Sequence, residues 1–185
     1  PPSPVSVCHI STGVLCVRTW NTINMHNLAT VTTLLLGCSV FCAKASGPDN
    51  GMGEFYEWHS LEDGLTLSSE TGKPVMLIIH KSWCGACKAL KPQFSQSDKI
   101  LELSKHFVMV NTVDDEEPND TKYQPDGGYI PRILFLDSDG DVKEELINEN
   151  GNEKYKYYYW NAETVVKSMK KAVKVFTKLK SSEEL

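Results

Sequence analysis

Two cysteines separated by two residues are the feature of this chain best suited to chemistry. Cys84 and Cys87 stand in the run Trp-Cys-Gly-Ala-Cys-Lys, directly after an apolar segment and at the predicted start of a helix. This spacing puts both sulfurs in the first helical turn, close enough to form a strained, reducible disulfide. Unpaired backbone N–H groups and the positive end of the helix dipole favour a thiolate on Cys84. The pair therefore predicts thiol–disulfide exchange, with Cys84 as nucleophile and Cys87 as resolving cysteine.

Zinc binding and a purely structural disulfide are the other uses of such a pair. Zinc needs four ligands, and the segment beyond residue 45 adds only His59, His80 and His106, without paired spacing. We therefore expect no metal and no tightly bound cofactor.

The first 45 residues are predicted to lie outside the working domain. The first Met is Met25, so residues 1–24 are expected to be non-native upstream sequence. Residues 25–45 contain a short apolar stretch that ends in Ala-Lys-Ala, which is typical of a cleaved secretory signal peptide. An uncleaved membrane anchor is the alternative, but the stretch is shorter than the roughly 20 apolar residues a span needs. Four of the six cysteines lie before residue 43, so processing would leave only the pair.

The remaining chain suits one domain. Residues 46–56 contain three glycines and are expected to be a flexible leader, and residues 57–181 form a single domain. Residues 182–185, Ser-Glu-Glu-Leu, resemble an endoplasmic-reticulum retention tail. All 24 acidic residues fall after residue 45 and outnumber the basic ones, which argues against nucleic-acid binding. We expect a monomer in the lumen of the endoplasmic reticulum, without stable membrane association after signal cleavage.

Hydrophobic patterning predicts the order helix, strand, helix, strand, strand, strand, helix. The predicted elements are a helix over 58–71, a buried strand over 74–80, a helix kinked by Pro92 over 84–95, a short helix over 98–105, strands over 107–113 and 132–136, a returning strand over 142–147, and a final helix capped by Asn161. This order fits an α/β thioredoxin fold, a central mixed sheet flanked by helices on both faces.

Two loops bear on the cysteines. Ile130-Pro131 follows a glycine-rich turn, where a cis-proline would face the cysteines and leave the backbone of Ile130 able to pair with a peptide; an ordinary trans turn is the alternative. The acidic run 114–120 is expected to be a solvated loop, since it lacks the spacing of a calcium loop. Asn119 begins an Asn-Asp-Thr sequon, so we regard it as a possible glycosylation site.

These motifs resemble the thioredoxin domain-containing protein 12 family, small thioredoxin-like proteins of the endoplasmic reticulum related to the anterior gradient proteins. The resemblance rests on the run from His80 to Lys88, on Gly-Gly-Tyr-Ile-Pro-Arg at 127–132, and on Ile-Asn-Glu-Asn-Gly at 147–151 followed by tyrosines. It implies a thiol–disulfide oxidoreductase that acts on thiol- or disulfide-bearing secretory proteins with glutathione as redox partner. The anterior gradient relatives carry Cys-x-x-Ser, whereas this chain keeps Cys87 and should cycle.

Departures from better-known thioredoxins affect the expected mechanism. Many carry a buried Asp or Glu six residues before the first cysteine as proton acceptor for the inner thiol, but that position here is Ile78. His80 or a water would then take the proton, unless His80 simply meets solvent at the strand end.

The residues around the cysteines set the expected potential. Gly85 and Ala86 between the cysteines supply no charge. The potential is therefore expected between roughly −270 and −180 mV, with Lys81 and Lys88 able to raise it. Trp83 is expected to flank the sulfur and help exclude water.

Function is left with two main hypotheses. The first is an oxidoreductase of secretory proteins. The second is an anterior-gradient-like client-binding module in which the aromatic segment 155–160 contacts peptide, although core packing of those rings is the simpler explanation. A peroxidase is not supported by the sequence around the cysteines.

Overall fold

A four-stranded mixed sheet forms the centre of the protein, as the sequence predicts. The computed structural model describes residues 47–183. The strands are β1 (Trp58–His59), β2 (Val75–His80), β3 (Val108–Val113) and β4 (Arg132–Leu136). They lie in the order β1-β3-β2-β4, with β1 and β2 both parallel to β3, and with β4 antiparallel to β2. Every residue of β2 is buried, because β2 lies inside the sheet and helices or loops cover both of its faces.

The helices divide between the two faces. They are α1 (Leu61–Thr71), α2 (Gly85–Ser95), α3 (Asp98–Ser104) and α4 (Ala162–Glu183). Apolar residues of α2, α3 and α4 pack with Met76 and Ile78 on one face, whereas α1 covers the other face, where Leu77 and Ile79 lie. This alternation follows from the two-residue period of a strand. The cysteines therefore lie on the sheet face of Met76 and Ile78, because α2, which packs on that face, begins at the pair.

The first predicted helix begins later than expected. Trp58 and His59 form β1 and pair with Met109 and Val110 of β3, so they are not helical. Ser60 is the N-cap of α1, and its side chain accepts a hydrogen bond from the backbone N–H of Asp63 at 3.1 Å. The expectation of helix from residue 58 was wrong, because an N-cap fixes the helix start and leaves the residues before it extended.

The predicted returning strand over 142–147 is also absent. Only Val142 forms a bridge to β4, opposite Leu136, and the chain then turns, with Leu146 N–H bonding to the Lys143 carbonyl at 3.0 Å. The other end of the β4 edge is occupied by Tyr158, which bridges to Arg132. Two short contacts from different loops therefore close the edge that the hairpin was expected to cover.

Residues 47–56 pack on the domain, unlike the flexible leader expected from their glycines. Met52 is fully buried and Tyr56 almost so. Gly47 donates its N–H to the Trp58 carbonyl at 2.5 Å, and Asn50 donates its side-chain amide to Asn111 at 2.7 Å. The segment is held because its apolar residues join the same core as α2.

The final helix α4 begins where Asn161 predicts. The side-chain oxygen of Asn161 accepts a hydrogen bond from the Thr164 backbone N–H at 2.9 Å. Between residues 47 and 183, no helix is both long enough and apolar enough to span a membrane. The predicted upstream segment 1–24, the signal peptide 25–45 and the last two residues of the predicted tail lie outside the described residues.

Candidate thiol–disulfide site

Cys84 caps helix α2 with its own sulfur. Its backbone is extended, with φ −75° and ψ 122°, and its Sγ accepts a hydrogen bond from the Cys87 backbone N–H at 3.2 Å. Its own N–H bonds to the Lys81 carbonyl at 3.3 Å, which fixes the turn before the helix. The sulfur therefore sits at the N-terminus of α2, where the first backbone N–H groups of the helix have no intrahelical partner.

The two thiols differ in access. Cys84 is 8% exposed, and Cys87, one turn inward, is fully buried; both are free. Burial raises the pKa of Cys87, and its hydrogen bond with Cys84 acts in the same direction. Cys87 therefore remains a thiol at neutral pH and has to lose a proton before it can attack. The geometry separates a slightly exposed outer thiol from a fully buried inner thiol.

His80, four residues before Cys84, is buried and does not meet solvent. It is the last residue of β2, on the face that α2 covers, and its side chain is fully buried. No hydrogen bond of acceptable distance and angle reaches either ring nitrogen among the described residues, although the side chain of Asn111 lies close enough to act on the pKa of His80. Burial lowers the pKa of His80, and the positive charge of Lys91 lowers it further, against smaller opposing effects of nearby polar and acidic groups. His80 is thus a neutral imidazole able to accept a proton at neutral pH.

The packed N-terminal segment is hydrogen-bonded to Asn111, a neighbour of His80, which the sequence did not reveal. Asn111 of β3 is next to Ile78 in the sheet register. Its side chain accepts from Asn50 and donates to the Pro48 carbonyl at 3.2 Å, so it is committed to this segment. Ile78, at the position of the acid in many thioredoxins, is fully buried in the core.

Lys91 is a second residue that the sequence did not single out. It follows Cys87 by four residues on α2 and is half-buried. Its positive charge lowers the pKa of both Cys87 and His80, although burial dominates each group. The i, i+4 spacing on a helix starting at the cysteines was the available signal.

A loop containing a cis peptide bond precedes β4. The Ile130–Pro131 bond is cis. Tyr129, next to it, donates its hydroxyl to Asp126 at 2.5 Å and accepts the Tyr157 backbone N–H at 2.9 Å. The loop is therefore tied to the aromatic segment that lies on the edge of β4. The contact of this loop with a client remains a prediction.

Other site residues of the motif present open surface. Trp83 is 71% exposed, and a Cβ added at Gly85 would meet no atom within 4 Å. Ala86 is partly buried. There is therefore room for a partner at the mouth of the site, and the flanking of the sulfur by Trp83 stays a prediction.

The aromatic segment is divided between core and surface. Tyr157 and Tyr159 are buried, which agrees with the packing explanation, whereas Tyr155 is 46% exposed and Trp160 is 40% exposed. Trp160 stacks with Tyr158 at 6.3 Å between ring centroids. These exposed rings are the observation that keeps a peptide-contacting role open.

Lys81 does not point freely toward the cysteines. Its Nζ lies 2.6 Å from Glu117 Oε2 and donates to the Asp114 carbonyl at 2.5 Å. The other Glu117 oxygen bonds to Arg132, which is fully buried and directly follows Pro131. The acidic run is thus not wholly solvated. The sequence could not reveal this network, since its members lie 15 to 36 positions apart along the chain.

The rest of the acidic loop is exposed. Asn119, the predicted sequon residue, is exposed beside the polar cleft that Lys81 and Gly128 also line. Among residues 47–183, no group of three His, Cys, Asp or Glu side chains is placed to hold a metal ion.

The sequence of this chain is similar to those of known proteins. A family described as thioredoxin-like matches residues 57–138. Anterior gradient protein 3 of Mus musculus is 33% identical over 127 residues, which cover 68% of this chain and 76% of that protein. Anterior gradient protein 2-B of Xenopus laevis is 35% identical over 135 residues, which cover 71% of this chain and 81% of the relative.

Solved structures are similar at lower identity. One titled "DsbH Oxidoreductase" has 21% identity and a TM-score of 0.48, covering 66% of this chain and 88% of that one.

The family match, the sheet order and the helices on both faces together make this a thioredoxin-like domain. About a third of the aligned residues are identical to those of the anterior gradient proteins, and the alignments cover most of their length. The chain therefore belongs to the anterior gradient family of thioredoxin-like proteins.

Proposed function

We propose that this protein is a thiol–disulfide oxidoreductase that forms, reduces or exchanges disulfides in secretory client proteins. The observation that carries the proposal is the pairing of Cys84, at the helix N-terminus and reachable from outside, with the fully buried Cys87 one turn below. A single-cysteine site would trap a client, whereas a second thiol at this place can release it.

In the reducing direction the chemistry balances with two electrons. The Cys84 thiolate attacks one sulfur of a client disulfide, the client S–S bond breaks, and a client thiolate leaves. Cys87 gives up its proton and attacks the Cys84 sulfur, forming the Cys84–Cys87 disulfide and releasing the second client thiolate. Two glutathione molecules restore the dithiol and become glutathione disulfide. The oxidising direction is the reverse of these steps.

His80 is proposed to accept the Cys87 proton. It is neutral, buried on the face that α2 covers, and its ring nitrogens have no other partner within the described chain. The pKa of Cys87 is raised by burial, so the resolving step needs such an acceptor. A water molecule in the same space is the alternative.

The proposed compartment is the lumen of the endoplasmic reticulum, with glutathione as co-substrate and no tightly bound cofactor. Support comes from the Ala-Lys-Ala pattern near residue 45 and the Glu-Leu end, together with motifs that resemble the thioredoxin domain-containing protein 12 family. Deletion of residues 182–185 should release the protein into the medium of secreting cells, and retention of the shortened chain would contradict this assignment.

The first experiment measures the Cys84–Cys87 equilibrium in glutathione buffers on protein starting at Ser46. A reversible disulfide with a potential near −180 mV or above would mean a donor of disulfides, and one near −270 mV a reductase, under the lumenal poise. Absence of any reversible Cys84–Cys87 disulfide would refute the proposal.

A client-binding module is the second candidate, favoured by the exposure of Tyr155, Trp160 and Trp83. The double variant Cys84→Ser, Cys87→Ser separates the two, because it removes the redox chemistry and leaves these rings in place. Client maturation that persists in the double variant would establish binding as the function and contradict the enzyme proposal.

A further inference from the structure

A chain of contacts joins the cis-peptide loop to the nucleophile through one carboxylate. Arg132, directly after Pro131, is fully buried, and its Nη2 lies 2.5 Å from Glu117 Oε1. The second oxygen of Glu117 lies 2.6 Å from Lys81 Nζ. The Lys81 carbonyl in turn accepts the Cys84 N–H at 3.3 Å. Within residues 47–183, Glu117 is thus the only carboxylate with ion pairs both to the loop before Cys84 and to the residue after the cis peptide bond.

Both cations also donate hydrogen bonds to backbone carbonyls. Arg132 Nε donates to the Tyr123 carbonyl at 3.2 Å and Nη1 donates to the Tyr129 carbonyl. Lys81 Nζ also donates to the Asp114 carbonyl. Only 18% of the Glu117 side chain is exposed, as is 18% of Lys81. Burial acts to raise the pKa of Glu117, but the hydrogen bonds from Lys81 and Arg132 outweigh it and lower the pKa.

We propose that Glu117 is a positioning residue of the thiol–disulfide site: it binds the ammonium group of Lys81, next to the turn before Cys84, and keeps its charge compensated. This inference rests on the proposed function and adds a control on its potential. An uncompensated cation near the active-site sulfurs favours the reduced, thiolate-bearing form over the disulfide. Lys81 was expected to raise the redox potential through its positive charge, and the ion pair with Glu117 offsets that charge.

Other charged groups surround this turn and stay unchanged in the test. They are Asp114 and Glu116 on the acidic loop, His80 behind the cysteines, and Lys88 and Lys91 on α2. Asp114 also anchors the turn, because its carboxylate accepts the Ser82 backbone N–H at 2.8 Å. Asp115 is exposed on the same loop and serves as a control for loss of one negative charge.

The test is the glutathione equilibrium of the intramolecular disulfide in protein starting at Ser46 that carries Glu117→Gln, Lys81→Met, both changes, or Asp115→Asn. Glu117→Gln should lower the equilibrium constant for disulfide formation about threefold to tenfold, and a tenfold change corresponds to about 30 mV. Lys81→Met alone should change it less than about twofold. In the double variant most of the effect of Glu117→Gln should be lost, and only the part due to the unpaired charge of Arg132 should remain.

The outcomes separate positioning from simple damage. A merely structural role would leave the double variant as altered as Glu117→Gln, which would overturn the proposal. So would an unchanged equilibrium in Glu117→Gln, or an equal shift in Asp115→Asn. If Glu117→Gln fails to fold because Arg132 loses its counter-charge, Glu117→Asp replaces it: the charge stays, but the shorter side chain cannot reach both cations, and a smaller shift of the same sign is expected. A wild-type protein without a reversible disulfide would instead reject the proposed function itself.

Discussion

Replacement of His80 by leucine should make the protein more stable and less active at the same time. His80 is fully buried on the core side of β2, and both ring nitrogens lack partners in the described chain. Leucine has a similar volume and no polar atoms, so the site keeps its packing and loses an unsatisfied group. The proposed role of His80 as proton acceptor would account for keeping a buried group that costs stability.

The magnitude follows from the desolvation of the imidazole. An unpaired buried polar group costs about 1–3 kcal/mol, so His80→Leu should raise the free energy of unfolding by about that amount. For a domain of this size the gain corresponds to roughly 3–10 °C in the unfolding midpoint. The pH dependence should change as well. Because the pKa of His80 is lowered by burial, the unfolded chain binds the proton more readily, and stability falls as pH drops below the ordinary value of about 6.5. The variant should lose that part of the acid sensitivity, which cannot exceed about 1.4 kcal/mol per pH unit for one group.

The assay pairs urea unfolding at pH 7.5 and 5.5 with single-turnover release of a mixed disulfide between Cys84 and a labelled peptide. The release rate should fall about 10- to 100-fold if His80 accepts the Cys87 proton. His59→Leu is the matched control: His59 is also buried, but it lies on the outer strand β1 and faces Glu57 at 3.8 Å, so release should be unchanged. A His80→Leu protein that is less stable than wild type, or one that releases peptide at the wild-type rate and pH profile, would refute this reasoning.

Three further predictions concern chemistry, capping and packing. Cys87→Ser should trap the mixed disulfide on Cys84, seen as the mass of protein plus peptide that persists until added thiol releases it; rapid spontaneous release would contradict the resolving role. Asn161→Ala should cost about 1 kcal/mol of unfolding free energy through loss of its bond to the Thr164 N–H, with redox activity intact; an unchanged midpoint would mean that the cap contributes nothing. Gly64→Ala should cost about 1–3 kcal/mol, because a Cβ there would lie 2.4 Å from a methyl of Val110, and a neutral result would mean that α1 can shift away from the sheet.

The sequence predicted those parts of the fold that depend on local pattern. The apolar run of β2, the cap at Asn161 and the helix beginning at the cysteines each follow from a short stretch of chain. Trp58 was placed in a helix because its spacing from Leu61 and Leu65 fits a helical face. In the structure Trp58 is in a strand instead, because it pairs with Met109 of β3, 51 positions away along the chain. A two-residue strand has too short a pattern to be recognised without its partner.

The site was predictable where chemistry is local and not where it depends on distant charges. Cys84 and Cys87 follow from their spacing. The commitment of Lys81 to Glu117 does not, because the two are 36 positions apart and nothing in the acidic run distinguishes Glu117 from Glu116. In the structure Glu117 is bonded to two cations, whereas Glu116 is exposed. The glycines near residue 50 predicted flexibility, but Met52 and Tyr56 supply enough apolar surface to hold the segment on the core.

The sheet itself limits which residue can take the Cys87 proton. On the face that α2 covers, β2 contributes Met76, Ile78 and His80, and β3 contributes Asn111 beside Ile78. Methionine, isoleucine and asparagine side chains do not titrate near neutral pH, so His80 is the only one of these that can accept a proton there. An acid at Ile78 would have to be buried in the same apolar core, whereas a neutral imidazole bears no charge until it acts. The replacement of an acid by isoleucine is therefore compatible with cycling, provided that His80 keeps its place at the end of β2.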